Sequence, residues 1–178
     1  FCLSSFTLYT AIFGMINALQ FRSFHFLLAM MVTLLMYPAG RRFAGKVPWW
    51  EYLLLGLIAV SVGYFVSMGE EFTNRLFFVT PLPTMQYLTS ITLIVLLLEA
   101  TRRVAGWTLP LITITFIVYA FVGPYLPVDI GHPGSDTSEI IEQLVMTSDG
   151  VFGRVLGVVA TYVAIFVLLA AFLDLSGT

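Results

Sequence analysis

Long apolar runs separated by short polar, proline- or glycine-marked breaks dominate the chain. A helix needs about 20 mostly apolar residues to cross a bilayer, and on that measure the pattern predicts six candidate spans, at 3–19, 24–37, 49–68, 85–98, 107–126 and 155–173. The first is the most interrupted, by Ser4, Ser5, Thr7, Thr10 and Asn17; a short break at 20–23 then predicts a tight helical hairpin with the second. Helix is the state that satisfies the backbone within each segment in lipid, and the runs do not alternate as barrel strands would. The predicted fold is therefore all-α, a polytopic transmembrane helical bundle of about six spans.

The breaks carry their own signals. Pro81 and Pro83 interrupt the apolar stretch at 76–84, because proline removes a donor and clashes with the preceding turn, so this stretch reads as an interfacial loop. Between the fifth and sixth spans, Asp136 and Glu139 have capping-box spacing ahead of Ile140, Ile141, Leu144 and Val145, which predicts a short amphipathic helix ended by Asp149 and Gly150. The basic residues orient the bundle. Arg41, Arg42 and Lys46 follow the second span and Arg102 and Arg103 the fourth, two loops of matching parity that the positive-inside rule makes cytoplasmic. Trp49, Trp50 and Trp107 fall at that same boundary, where an indole is favourable at headgroup depth.

Composition agrees with a lipid-facing exterior: 59% of residues are hydrophobic, 10% are charged, and mean hydropathy is +0.96. Soluble domains carry about 25% charged residues. A net charge of −2 excludes a nucleic-acid partner, which would need a concentrated basic surface. Cys2 is the sole cysteine, so no internal disulfide or cysteine metal cage can form. His25 and His132 lie far apart and read as external surface residues, so no metal site is expected. Neither a P-loop nor an HExxH, GxSxG or dinucleotide motif is present, which leaves ATP hydrolysis and the common enzyme chemistries without residues to perform them. No cofactor is expected, and the chain does not read as an enzyme.

Three groups of residues are candidates for function. Glu99 is followed at i+3 and i+4 by Arg102 and Arg103, which puts a carboxylate and two guanidinium groups on one helix face. They read either as a contact between membrane domains or as snorkelling anchors of a helix end. Gly56 and Gly63, and Gly153 and Gly157, are small-residue pairs suited to close helix packing. Glu70, Glu71, Asp129, Asp136, Glu139 and Glu142 make the opposite face acidic and are candidates for docking a partner, with a solvated loop surface as the alternative.

At Leu98-Glu99-Ala100-Thr101-Arg102-Arg103-Val104-Ala105-Gly106-Trp107-Thr108-Leu109-Pro110, then Tyr119 with Gly123-Pro124-Tyr125-Leu126-Pro127, the sequence resembles fused permeases of tripartite ATP-independent periplasmic (TRAP) transporters. A further block, Gly150-Val151-Phe152-Gly153 through Leu156-Gly157-Val158, Ala160-Thr161-Tyr162-Val163 and 172–177, is similar to the branch served by TAXI-type binding proteins. Together these cover about the second half of the chain; the first half agrees in its layout of spans and in Tyr37-Pro38. Arg154 and Val155 depart from the family pattern, in which apolar residues or proline commonly follow the glycine matching Gly153.

The resemblance implies a small four-helix membrane domain at 1–104, fused near 104–107 to a large ion-coupled transport domain that begins at 105–178 and continues beyond it. It further implies a multi-pass protein of the bacterial or archaeal cytoplasmic membrane that imports a small organic solute. The implied partners are membrane lipid, a periplasmic solute-binding protein and the remainder of the large domain. The coupling ion, sodium, is expected to bind mostly outside these residues. A membrane-embedded enzyme and a non-transporting membrane scaffold are the alternatives.

Overall fold

Apolar stripes at helical spacing generate the core. The computed structural model describes residues 2–13, 17–37, 48–69, 75–127 and 129–177, and all regular structure among them is helical. In chain order these are α1 (Cys2–Phe13), α2 (Ala18–Met36), α3 (Trp49–Ser67), α4 (Thr84–Ala105) and α5 (Thr108–Val122), the last ending in a 3-10 turn at Gly123–Tyr125. A short α6 (Thr137–Ile141) runs into a π-helical turn at Glu142–Met146, and α7 (Arg154–Ser176) contains a second π-helical turn at Val159–Val163.

Among the described residues, four helices are long and apolar enough to cross a membrane: α2, α3, α5 with its 3-10 turn, and α7. Of the six expected spans, the first and fourth are not among them. The 12 residues of α1 reach about 18 Å, short of a hydrocarbon core of about 30 Å. The 22 residues of α4 are long enough, but its last turns carry Glu99, Arg102 and Arg103. The expected break at 20–23 is helix instead. Asn17 takes an extended backbone, and its side-chain oxygen accepts the Leu19 N–H at 2.9 Å, an N-cap that starts α2 at Ala18.

The helices α2, α3 and α4 pack together through Phe26, Met30 and Leu34, through Ile58, Val62 and Phe65, and through Leu93, Leu96 and Ala100. Spacings of three and four residues put each trio on one helix face. The segment between α6 and α7 closes this core: Val145, Met146 and Phe152 are buried in it, and the Phe152 ring lies 5.5 Å from Phe26 and 5.4 Å from Phe65. Residues from both expected domains therefore share one hydrophobic cluster.

The outer helices have the opposite character. Pro110 is the only buried residue recorded in α5, and Ala160 the only one in α7. Ile112, Phe116, Phe166, Phe172 and Leu175 stand exposed along them. Soluble monomers seldom expose contiguous apolar patches of more than a few hundred Å², whereas a lipid-facing surface requires them.

Candidate functional site

Charged residues inside so apolar a bundle need partners, and they collect in two buried clusters near opposite ends of α4. At its C-terminal end Arg103 reaches across to α3, where its Nη1 donates to both Glu51 carboxylate oxygens at 2.8 Å. Its Nε donates to Glu99 at 2.8 Å, and Nη1 also reaches the Tyr37 carbonyl at the end of α2, at 3.3 Å. The Arg103 and Glu51 side chains are 3% and 1% exposed, which makes this a buried pair rather than a surface one. Arg102 completes the cluster with two hydrogen bonds to Glu99, both 2.7 Å, and its guanidinium lies 5.3 Å from the Trp107 ring centre, a cation–π contact.

Past the apolar stretch at 85–98, the hydrogen bond from Arg102 holds the Glu99 carboxyl below its usual range, assisted by Arg103 and opposed by burial. The same bond raises the Arg102 guanidinium. Immediately after the cluster, Gly106 adopts a φ of 77°, a left-handed conformation that glycine takes without penalty, and the chain turns into α5.

The second cluster ties the 75–80 segment to the turn after α6. Arg75 pairs with Glu142 at 2.8 Å, with both side chains buried, and also donates to Gln86 at 2.7 Å and to the Thr80 carbonyl at 2.6 Å. The other Glu142 oxygen accepts the Phe78 N–H. Gln86 in turn meets Met68 at the end of α3.

The two clusters mark two levels across the bundle. At 1.5 Å per residue, Gln86 and Arg103 are about 25 Å apart along α4, and Glu51 and Met68 about 25 Å apart along α3. On α2, Tyr37 at the Arg103 level is about 22 Å from Arg22, whose Nη1 reaches the Phe152 carbonyl at 3.3 Å. Each of the three helices thus takes part in polar contacts at both ends of an apolar layer close to the thickness of a bilayer core, α3 through Glu51 and the Met68 sulfur and α2 through Arg22 and the Tyr37 carbonyl.

The predicted residues fare differently. Glu99, Arg102 and Arg103 share one helix face, but Arg103 does not snorkel; it is buried against Glu51, a residue that no spacing in the sequence links to it. Its signal was present, since a lone carboxylate opening an apolar run demands a cation. Glu142 does not belong to an exposed acidic face, because its carboxylate is 3% exposed and held by Arg75. Asp129, Asp136 and Glu139 are exposed, and Glu139 accepts the Asp136 N–H at 3.1 Å, as the capping-box spacing predicts. Glu70, Glu71, Arg41, Arg42 and Lys46 lie outside the described residues.

The glycines separate as well. Around Gly56 and Gly63 an added Cβ would meet nothing within 4 Å, so this face of α3 looks outward instead of packing on a described helix. Gly153 packs against its own turn, where a Cβ would fall 2.2 Å from the Ser148 carbonyl oxygen. Only Gly157 seats another helix: a Cβ there would come within 2.8 Å of the Arg22 guanidinium of α2. Arg154 is exposed and paired with Asp149 at 3.2 Å.

The expected surface position holds for neither histidine in full. His25 is buried in α2. The His132 ring is partly covered and lies tilted at 57° beside the Tyr119 ring, with centres 4.9 Å apart, filling the space that Gly123 leaves open. Among the described residues, no group of three or more His, Cys, Asp or Glu could hold a metal ion. Compared with protein-family models, curated proteins and solved structures, the chain matches none.

Proposed function

We propose that this chain is the membrane permease component of an ion-gradient-driven secondary transporter, importing a small organic solute delivered by a periplasmic binding protein. On this reading it supplies the four-helix domain and the opening helices of the transport domain, in the cytoplasmic membrane of a bacterium or archaeon. The observation that carries the reading is a coincidence of sequence and geometry. The block from Leu98 to Pro110 that resembles the TRAP permeases is the block that builds the Glu51–Arg103–Glu99–Arg102 cluster and the Gly106 turn between α4 and α5.

A carrier whose transport domain moves needs a neighbouring body that does not deform. Buried ion pairs across α3 and α4, reaching the end of α2, serve that purpose because each charge loses its partner if the helices separate. Sodium coupling then belongs to residues of the large domain outside this chain, and Asp129, Asp136 and Glu139 form the acidic face that meets the binding protein.

The test is uptake by the full-length permease in proteoliposomes, with its binding protein and an imposed sodium gradient. Accumulation that needs both, and that stops when the gradient is collapsed, is the expected result. A folded, correctly inserted permease that accumulates no solute, or does so without regard to the gradient, overturns the proposal. Absence of uptake would favour a non-transporting membrane scaffold, which the buried cluster suits equally well.

A further inference from the structure

The helices α2 and α7 start at the same level of the bundle, with Gly157 of α7 against Arg22 of α2. Between them runs a groove of about 500 Å³ lined by Phe21, Arg22, Arg154, Val158, Tyr162 and Ile165, among others. Its two arginines come from helices far apart in sequence, joined here because Arg22 reaches across 130 positions to the Phe152 carbonyl just ahead of α7.

Both cations occupy an awkward place. The N-terminal end of a helix carries a partial positive charge and favours anions, yet Arg154 opens α7 and Arg22 lies in the first turns of α2. Asp149 offsets one guanidinium, at 3.2 Å. Arg22 makes no ion pair among the described residues, and its one hydrogen bond is long, at 3.3 Å. The groove therefore keeps an excess of one positive charge, together with the two helix ends.

Below the arginines the walls are apolar and continue onto the outer surface of α7, where Val158, Tyr162 and Ile165 are exposed. Arg22 lies about 22 Å along α2 from Tyr37, at the opposite boundary of the apolar layer, which is headgroup depth. A guanidinium pair binds a phosphodiester with charge-assisted, bidentate geometry, and the adjoining wall accepts an acyl chain. A small soluble anion would use the arginines and leave that wall unused.

We propose that this groove binds one anionic phospholipid, its phosphodiester held between Arg22 and Arg154 and an acyl chain lying along Phe21, Val158 and Ile165. The site depends on the chain residing in a membrane and is independent of any transport activity. Gly157 belongs to it as the residue that leaves room for Arg22.

Native mass spectrometry of the whole purified chain in detergent, titrated with palmitoyl-oleoyl phosphatidylglycerol, tests the site. Diacylglycerol with the same chains and soluble glycerol 3-phosphate serve as the two half-ligands. The expected result is one retained phosphatidylglycerol, with diacylglycerol binding far more weakly and glycerol 3-phosphate failing to displace the lipid at equal concentration. Arg154→Gln, at a side chain 73% exposed, should weaken binding about tenfold, the loss of one charged hydrogen-bonding partner. Arg154→Lys should recover part of that loss, and Arg22→Gln combined with Arg154→Gln should reduce binding to the diacylglycerol level. Unchanged affinity in Arg154→Gln, or equal binding of the lipid and diacylglycerol, overturns the proposal. Displacement by glycerol 3-phosphate overturns it as well, in favour of a site for free anions.

Discussion

Replacing Glu51 with glutamine removes one charge from the buried cluster while keeping the shape of the side chain. Among the described residues, the cluster sets Arg102 and Arg103 against Glu51 and Glu99. In Glu51→Gln the 3%-exposed Arg103 retains the long bond to the Tyr37 carbonyl and, as its carboxylate partner among the described residues, Glu99, which it shares with Arg102. Breaking a buried pair by removing one partner costs about 3–5 kcal/mol, and the remaining hold of Glu99 puts the expectation at the lower end, about 3 kcal/mol. Glu99→Gln provides the internal comparison. It also removes a carboxylate, but Arg102 is 25% exposed and can turn to water and to Trp107, so the cost should be about 1 kcal/mol or less. Replacing both buried partners, as Glu51→Leu with Arg103→Leu, leaves Glu99 balanced by Arg102 and should return to within about 1 kcal/mol of wild type. Equilibrium unfolding by sodium dodecyl sulfate in mixed micelles, followed by tryptophan emission from Trp49, Trp50 and Trp107, measures all three. If Glu51→Gln costs no more than Glu99→Gln, or if the double replacement costs as much as the single one, the cluster does not hold the helices as argued.

Other substitutions separate neighbouring readings. Gly153→Ala should destabilise the protein by about 1–3 kcal/mol in the same assay, because the new Cβ meets the Ser148 backbone. Gly56→Ala, with open space around it, should be neutral or stabilise by up to about 1 kcal/mol. The depressed Glu99 carboxyl contributes stability that is present above its unfolded value of about 4.3 and lost as pH falls through the lower folded one. The stability gap between wild type and Glu99→Gln should therefore be constant near neutral pH and narrow in acid; a gap independent of pH down to complete protonation would contradict this. If the acidic face docks the binding protein, Asp129→Asn with Asp136→Asn in the full-length permease should slow association and flatten its salt dependence, with little change in dissociation. Surface-plasmon measurements at several salt concentrations read both rates, and unchanged association would leave these carboxylates as solvated loop charge.

The helices were legible in the sequence wherever length and hydropathy sufficed, as at α3, α5 and α7. The capping box at Asp136 and Glu139 was legible too, because its chemistry is local. Asn17 reads in sequence as a polar interruption, since a cap and a break are the same residue type until the backbone hydrogen bond to Leu19 is seen. Residues whose role depends on a distant partner were harder. Glu51 and Arg103 are separated by 52 positions and Arg75 and Glu142 by 67, so neither pairing follows from spacing, although a lone charge at an apolar boundary was itself a warning. The glycines show the same limit. Spacing alone could not distinguish Gly153, wedged against its own turn, from Gly157, which seats an arginine of another helix, or from Gly56, which faces open space.

The central claim is that this chain crosses a membrane with its two polar levels on opposite sides, the Arg103 cluster in the cytoplasm. A single apolar helix, α5 with its 3-10 turn (Thr108–Tyr125), separates Ala105 from Ser135. Ala105→Cys and Ser135→Cys, each in a Cys2→Ser background, can be labelled in intact cells with a membrane-impermeant thiol reagent. The account predicts that Ser135→Cys is labelled directly and Ala105→Cys only after the membrane is permeabilised. Labelling of both in intact cells would show that α5 does not cross the membrane, and the reverse pattern would invert the orientation; either result contradicts the account.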